Sequence, residues 1–478
     1  MKKLEYIRKI VLITLFGLLM NTASANNVEI TNLVKAGNSI SFDLSWENSW
    51  FAGSSHHDAI WIFVKQAPNG GPSWQHATVS SVSVGTGFED ILPTDQVGFF
   101  IKRSSTGNGT ATTSVTAVLN NLIGVFQDVK VMGIEMVYVP QGSFYAGDGA
   151  SNGRIARGDD LLESVLISSN AALTCGTTSS DIQYSSGTCN DIPASYPSGY
   201  DAFYSMKYAI TQSQYVDFLN CLGRSQQENR VQADISGTTV INRYVLVDSP
   251  NQSKGNVVRC DENIGYGPVT FYCDQNNNGI PNEIDDGQSR ACNYLRNSDW
   301  AAYLDWAGLR PFSFFEIEKA SRGPLLPVQD EYSWGSSLWT NNGSVQNEGT
   351  ESEHWSNSYI DGGISTYSDD VIRVGANAPS TGASRELSNA SYYGIIDLGN
   401  NPSDYYIGKD FVSSYTAVEG DGILNSAGDS NVSSWPDFDP SVVFSTKISL
   451  QTSGISALSI GIIGGGSGSG GRGIRSNF

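Results

Sequence analysis

One stretch of the chain decides the fold of its larger part: residues 305–323 read DWAGLRPFSFFEIEKASRG. Its apolar side chains predict the wall of a central core, and they are Trp306, Leu309, Phe314, Phe315 and Ile317. Arg310 and Arg322 accompany the acids Glu316 and Glu318, and the planar fork of arginine suits a carboxylate. The stretch therefore predicts buried or half-buried ion pairs in a structural scaffold.

Helical patterns lie within and before this stretch. Residues 211–222 place Tyr215 on an apolar face, and Thr211 is a suitable N-cap. Residues 298–307 and 314–321 predict two further helices. Loops and short strands surround these few helices, which is typical of an α+β domain.

Residues 28–131 show a different pattern. Residues 40–46, ISFDLSW, alternate apolar and polar side chains, and residues 60–64, IWIFV, form a continuous apolar run. Both patterns are typical of β-strands, and clusters of Gly, Pro and Asn separate them. We predict an all-β sandwich over 28–131.

Residues 1–25 predict a cleaved signal peptide. A basic start precedes the apolar run 10–20, which is too short to span a bilayer, and Ala23-Ser24-Ala25 forms a small-residue cleavage site. Cysteine is absent from this region, so we do not expect a lipoprotein. Because the rest of the sequence contains no long apolar run, we expect no membrane span and a secreted protein, extracellular or periplasmic.

The charge balance is strongly acidic, since 28 basic and 48 acidic residues give a formal net charge of −20. Such a surface repels nucleic-acid phosphates and anionic lipid headgroups. It is typical of a soluble extracellular protein or of one that holds divalent cations. We therefore expect no nucleic-acid partner.

The cysteines lie in one part of the chain, between residues 175 and 292, and number six. An even number in an exported protein predicts structural disulfides. Proximity suggests the pairs Cys175–Cys189 and Cys260–Cys273. A thiol metal site would need closer spacing.

Five segments, in this order, resemble motifs of the formylglycine-generating enzyme (sulfatase-modifying factor) superfamily. The segments are residues 136–144, MVYVPQGSF; 208–220, YAITQSQYVDFLN; 305–323, quoted above; 331–335, EYSWG; and 392–398, YYGIIDL. Each motif alone is weak, but five in the family's order are specific. The resemblance covers the chain from about residue 133 onward.

The resemblance implies an α+β, C-type-lectin-like, loop-rich domain over residues 133–478. A β-sandwich before such a domain is similar to the arrangement in secreted Bacteroidetes proteins. A disulfide and calcium-loop insertion is expected at about residues 221–292, and residues 464–473 form a Gly-rich tail.

The catalytic equipment of the family is missing from this sequence. Active members bind copper through two cysteines near the C-terminal end, because soft thiolates select Cu(I), whereas Cys292 is the last cysteine here. Iron-dependent relatives need a histidine cluster, and the histidines of this chain are His56, His57, His76 and His354. We therefore expect no copper, no iron and no catalytic residues, which defines a pseudoenzyme.

The sharpest local signal is residues 274–285, DQNNNGIPNEID. The spacing places oxygen ligands as in calcium loops, with Gly279 allowing the sharp turn, and it resembles dockerin-type loops. The predicted ligands are Asp274, Asn276, Asn278, Ile280 through its backbone, Asn282 and Asp285. The alternative is an Asn- and Gly-rich turn that binds nothing.

A second cation site is implied by the resemblance alone. The family ligates calcium at a turn that corresponds here to Asp397, the carbonyls of Asn400 and Pro402, and Asp404. Aspartate at the last position is shorter than the family's glutamate. The alternative is a turn whose acids are solvated.

A non-catalytic, exported binding or structural protein is the leading hypothesis, with a plausible role in cell-envelope or surface assembly. Its partner would be an unknown protein or glycan bound at loops within residues 341–439. Six aromatic residues there could serve as anchors or belong to the core: Tyr392, Tyr393, Tyr405, Tyr406, Tyr415 and Trp435. Two alternatives are a formylglycine-generating oxidoreductase and a carbohydrate-binding protein that uses the sandwich.

Overall fold

The fold is known from a computed structural model, which describes most of the chain after residue 27. The described residues are 28–68, 71, 74–120, 127–147, 155–184, 189–241, 243–329, 331–341, 343–356, 363–365, 371–376, 378, 384–398, 401, 404–408, 414–436, 446–447 and 470–478. The predicted signal peptide and residues 464–469 of the Gly-rich tail lie outside them.

Strands dominate the secondary structure. The strands are β1 (Glu29–Ala36), β2 (Ser39–Gly53), β3 (His56–Pro68), β4 (Gln75–Ala77), β5 (Val79–Val84), β6 (Phe88–Ile91), β7 (Phe99–Arg103), β8 (Gly107–Leu119), β9 (Gln127–Val139), β10 (Phe144–Ala146), β11 (Ile155–Arg157), β12 (Val165–Ile167), β13 (Ile182–Tyr184), β14 (Phe203–Met206), β15 (Val258–Cys260), β16 (Phe271–Cys273), β17 (Trp339–Asn341), β18 (Val345–Gln346), β19 (His354–Trp355), β20 (Gly363–Ser365), β21 (Tyr405–Tyr406), β22 (Thr446–Lys447) and β23 (Ile474–Arg475). The helices are α1 (Gln212–Leu219), α2 (Arg224–Glu228), α3 (Asn297–Trp306) and α4 (Phe314–Arg322).

One sheet of eleven strands organises the molecule, with the order β23-β14-β9-β3-β2-β8-β5 along its main path. β1, β4, β6 and β7 pair at its sides. Strand β2 pairs with β8 along most of its length and turns into β3 at the pair Phe51 and His57. The sheet curls at this corner, and apolar residues of β2 and β8 face those of β3 and β7 across one core. The strands predicted within residues 40–46 and 60–64 are confirmed as parts of β2 and β3.

Strand β9 joins the two regions that the sequence separates. It pairs with β3 from Gln127 opposite Pro68 to Val137 opposite Asp58, and its last part pairs with β14. The boundary expected between residues 131 and 133 therefore lies within a strand of a continuous sheet. The division into a sandwich and a second domain stays a prediction.

The second region packs its helices against the outer face of this sheet. The helix predicted after Thr211 is confirmed: the Thr211 hydroxyl accepts from the Gln214 N–H at 3.2 Å, and the Gln214 side chain accepts from the Thr211 N–H at 3.0 Å. This is a capping box. α3 and α4 confirm the other two predicted helices.

The apolar and ionic predictions for residues 305–323 are also confirmed. All five wall residues are buried in the main core. The Arg310 guanidinium donates to both oxygens of Glu316, at 2.9 and 2.6 Å, and Arg322 pairs with Glu318. Because these charges are buried and paired, they fix the geometry of the scaffold and leave no free reactive group.

Candidate functional site

The predicted calcium loop begins directly after β16, and two hydrogen bonds between Cys273 and Asn282 close its base. The Cys273 N–H donates to Asn282 Oδ1, and the Asn282 N–H donates to the Cys273 carbonyl, both at 3.2 Å. Gly279 adopts a φ of +77°, in the left-handed region that glycine tolerates. The loop therefore makes the sharp turn that the sequence predicts.

Asp274, the first predicted ligand, is already paired with a protein cation. Its Oδ2 accepts from Arg259 at 2.7 Å and from the Gly279 N–H at 3.1 Å, and its Oδ1 accepts from the Asn278 N–H at 3.1 Å. Asp274 is fully buried. Its carboxylate thus organises the turn.

The acids that gather at one point are Glu283, Asp285 and Asp286. Their carboxylate oxygens lie within 4.8 Å of one another. Asp285 is a predicted ligand, whereas Glu283 and Asp286 were missed by the sequence analysis. Their signal is the density of acids just after the loop, Glu283-Ile-Asp285-Asp286, which a search for fixed ligand positions overlooks.

Two predicted amide ligands contact this acidic trio, Glu283, Asp285 and Asp286. Asn276 donates to Asp285 at 3.4 Å, and Asn278 donates to Glu283. The Oδ1 of Asn276 accepts from the Asn278 N–H at 3.0 Å, and each amide oxygen of the two asparagines keeps a second lone pair that can bind a cation. The loop thus brings together Asn276, Asn278 and Asp285 of the predicted set. Asn282 is used at the loop base, and the Ile280 N–H donates to Asn278 Oδ1 at 2.7 Å.

Asp286 is the most constrained member of the trio. Its side chain is buried, its Oδ2 accepts from the Glu283 N–H at 2.6 Å, and its Oδ1 has no hydrogen-bond partner among the described residues. Burial raises the pKa of Asp286, and the neighbouring charges of Asp274, Asp285 and Glu283 raise it further. Divalent calcium binds six to eight oxygens and would neutralise this repulsion.

The second predicted cation site contains an arginine. The Arg472 Nε lies 3.0 Å from both carboxylate oxygens of Asp404, and its Nη2 donates to the Asp397 carbonyl at 3.0 Å. Arg472 and Asp404 are fully buried. A guanidinium therefore lies where the family resemblance implies a metal ion.

Two further predicted members of that site, Asn400 and Pro402, lie outside the described residues. Asp397 Oδ2 accepts from the Gly375 N–H at 2.9 Å, and burial raises the pKa of Asp397 to about 6. Metal binding at this second site stays a prediction, but Asp404 would have to release Arg472 first.

Of the two predicted disulfides, one is confirmed and the other is wrong. Cys175 and Cys189 form a disulfide. Cys260 and Cys273 do not, because the β15–β16 register places Cys260 opposite Phe271 and Cys273 opposite Val258. The two thiols lie diagonally across the strand pair, where distances exceed those of a disulfide.

The unbridged thiols are Cys221, Cys260, Cys273 and Cys292, and all four are buried. Burial raises the pKa of Cys221 and of Cys260 to about 11, and it raises the pKa values of Cys273 and Cys292 even further. The thiolate form needed for a soft-metal ligand or a nucleophile is therefore disfavoured.

The aromatic residues considered as surface anchors belong mostly to the core. Tyr393, Tyr405, Tyr406, Tyr415 and Trp435 are buried, and only Tyr392 of the six is half-buried. Core packing is thus the correct alternative for five of them. His354, which lies far from the other three histidines in the sequence, uses Nδ1 in a contact with the Ser352 carbonyl at 2.9 Å.

Comparisons with known proteins add little to this geometry. No protein-family model and no curated protein matches the chain. Among solved structures, the chain is similar to the crystal structure of the group B streptococcus pilus 2b backbone protein, with 10% identity over 38% of this chain and 83% of that one. The TM-score is 0.12, which is too low to define a shared fold. Within the described part of the chain, no helix has the length and apolarity required to cross a membrane.

Proposed function

We propose that this protein is an exported, non-catalytic binding or structural protein, built on a degenerate formylglycine-generating-enzyme scaffold and stabilised by calcium. One observation carries the non-catalytic part: its four unbridged thiols are at most 4% exposed. Copper chemistry of the family's kind requires accessible thiolates. A substrate could not reach these sulfur atoms in the folded protein.

The positions of the family-like segments support the scaffold. The first segment contributes the end of β9, the second contains the capped helix α1, and residues 305–323 contain α4 with its buried ion pairs. β9 and β14 pair next to β23, so the first and last parts of the second region meet in one sheet. These features agree with a C-type-lectin-like, loop-rich domain.

A formylglycine-generating oxidoreductase is the second candidate, and one feature favours it. Cys273 and Cys292 are both unbridged, and both belong to the main core. The complete burial of both thiols opposes an oxidoreductase. The accessibility of these thiols therefore distinguishes the oxidoreductase from the non-catalytic protein.

Alkylation measured by mass spectrometry tests this distinction. The native protein is treated with iodoacetamide and then compared with denatured protein, with and without reduction. We expect no native labelling, four labels after denaturation, and labelling of Cys175 and Cys189 only after reduction. Rapid native labelling of Cys273 or Cys292, together with retention of stoichiometric Cu(I) against a chelator, would establish the oxidoreductase instead.

For calcium, the ligands that we propose are the acidic trio with Asn276 and Asn278, completed by backbone oxygens of the loop. The observation that supports this site is the unpartnered, buried Oδ1 of Asp286 beside two further carboxylates. Calorimetric titration after chelation tests it, with a dissociation constant expected in the range of about 10⁻⁴ to 10⁻³ M, as for extracellular modules. The absence of heat at millimolar calcium would remove the site.

Export to the periplasm or the extracellular medium belongs to the same proposal, and it rests on the sequence of residues 1–25. The expected partner is a protein or glycan, and surface assembly is the expected setting. Cell fractionation with sequencing of the mature N-terminus tests this. Cleavage after Ala25 and recovery outside the cytoplasm are expected, and an intact leader in the cytoplasm would contradict export.

A further inference from the structure

A cavity of about 520 Å³ lies between the end of β9, the loop 194–202 and the last described residues of the chain. It is separate from the calcium loop and from the buried thiols. Its lining includes two aromatic rings that contact each other, Tyr138 and Phe478. A cavity of this size accommodates a small ligand such as one or two sugar rings.

A carboxylate and two amides converge at the mouth of this cavity. The Gln141 Nε2 donates to Asp201 Oδ1 at 3.1 Å, and the Asn170 Nδ2 donates to Asp201 Oδ2 at 2.5 Å. Asn170 is held in turn by the Ser198 hydroxyl, which donates to its Oδ1 at 2.8 Å. Three different loops thus contribute one hydrogen-bonded cluster of exposed polar side chains.

The aromatic surface beside this cluster is also held in place. The Phe478 ring makes edge contacts with Tyr204 at 5.1 Å, with Tyr138 at 5.9 Å and with Phe100 at 6.4 Å between centroids. It nevertheless keeps 38% of its surface exposed. A fixed, exposed ring next to polar groups offers an apolar face to a ligand that also forms hydrogen bonds.

The charges of the cavity argue against an anionic ligand. The Arg310 guanidinium lines the floor, but it is committed to Glu316 through two hydrogen bonds, at 2.6 and 2.9 Å. The other charged lining residues are Glu316, which is paired with Arg310, and Asp201, which would repel an anion. The chain as a whole is also acidic, at −20.

The polar cluster suits a ligand with several neutral hydroxyl groups. A hydroxyl can donate to Asp201 and also accept from the amides of Gln141 and Asn170, whereas an ammonium group can only donate. We infer that this cavity, walled by Asp201, Gln141, Asn170 and Phe478, is a binding site for a neutral saccharide. The inference names a ligand for the proposed binding protein and rests on that function, and it places the sugar in this cavity and not on the sandwich.

The test uses the full mature chain and an array of neutral gluco-, manno-, galacto- and xylo-oligosaccharides, followed by calorimetry with the best-bound sugar. Asp201→Asn should weaken its binding by about tenfold or more, because hydrogen bonds to charged groups are strong. Gln141→Ala and Phe478→Ala should also weaken it. Asp234→Asn is the matched control, since Asp234 is an exposed acid that likewise holds a local turn, and it should bind like wild type.

Three outcomes would overturn the inference. The first is that no neutral oligosaccharide binds at millimolar concentration. The second is that a sugar binds equally well to wild type, Asp201→Asn and Phe478→Ala, which would place it elsewhere. The third is that binding disappears in a calcium chelator, because no residue of the calcium loop lines this cavity. None of these outcomes changes the thiol-labelling result, so the proposed non-catalytic function is judged separately.

Discussion

The residues predicted to bind cations form two acidic centres, one at Asp404 and one at the calcium loop. The two centres differ in what lies next to their negative charge. At Asp404 the neutralising cation belongs to the protein, since Arg472 lies between that carboxylate and the Asp397 carbonyl. At the calcium loop, the donors that contact the acidic trio among the described residues are side-chain amides and one backbone N–H. Ligand spacing in a sequence therefore locates oxygen atoms, but the tertiary structure decides whether an external cation is needed.

The largest expected effect comes from removing the internal cation. Arg472→Met removes the guanidinium from the buried Asp404 carboxylate, and breaking a buried ion pair in this way costs about 3–5 kcal/mol. The free energy of unfolding, measured by denaturant titration at neutral pH, should fall by this amount. The double variant Arg472→Met/Asp404→Asn should recover part of the loss, because the buried carboxylate charge that Arg472 balances is also removed.

Calcium addition to Arg472→Met then tests whether the two centres truly differ. We expect millimolar calcium to leave the loss at Asp404 unrepaired. Full recovery of stability in calcium would show that the second predicted site does accept a metal, and the contrast between the centres would disappear.

The next effect concerns the wild-type calcium loop. Calcium that binds only the folded state stabilises it by RT ln(1 + [L]/Kd), which is about 1.4 kcal/mol at tenfold excess over Kd. With the expected affinity, about 10 mM calcium should raise the thermal midpoint by a few degrees. Magnesium at the same concentration is the control, and an equal rise with magnesium would indicate screening instead of a site.

Asp286→Asn should separate the roles of charge and shape within the trio. Asparagine keeps an acceptor for the Glu283 N–H but removes a negative charge from a crowded site. In calcium-free buffer the variant should be more stable than wild type by up to about 1 kcal/mol, and it should lose most of the calcium effect. Asp234→Asn, outside the loop, should change neither quantity. Undiminished stabilisation of Asp286→Asn by calcium would remove Asp286 from the site.

The difference between the centres also shows which features the sequence could predict. The capped helix α1 and the Arg310–Glu316 pair depend on residues at most six positions apart, so a local pattern is sufficient to find them. Asp404 and Arg472 are 68 positions apart. No local sequence pattern predicts such a pair. The expectation of a metal ion at Asp404 came from the family resemblance alone.

Strand register and sheet continuity are a second kind of feature that the sequence pattern did not predict. Cys260 and Cys273 are close in sequence, yet a two-residue offset across the β15–β16 pair keeps their sulfur atoms apart. Likewise, β9 contains the predicted domain boundary because it pairs with strands of both regions. Both outcomes depend on which residues face each other across strands, and alternation of apolar residues does not encode that.

The smallest effect is the pH dependence of Asp286, and it is also the most specific one. The pKa of Asp286 is raised in the folded protein above its value of about 3.9 in an unfolded chain. In calcium-free buffer the folded state therefore binds more protons than the unfolded state between the two pKa values, and the destabilising contribution of Asp286 shrinks as the pH falls.

Other buried acids have raised pKa values too, among them Glu135, Asp305 and Asp397, so the pH profile of wild type alone cannot isolate Asp286. The difference in unfolding free energy between Asp286→Asn and wild type cancels those shared groups. We expect this difference, measured without calcium, to narrow as the pH is lowered toward the raised pKa of Asp286. In wild type the stabilisation by calcium should shrink over the same range, because protons compete for the same carboxylate. A difference that stays constant with pH would show that the loop does not raise the pKa of Asp286, and the charge repulsion inferred within the trio would then be contradicted.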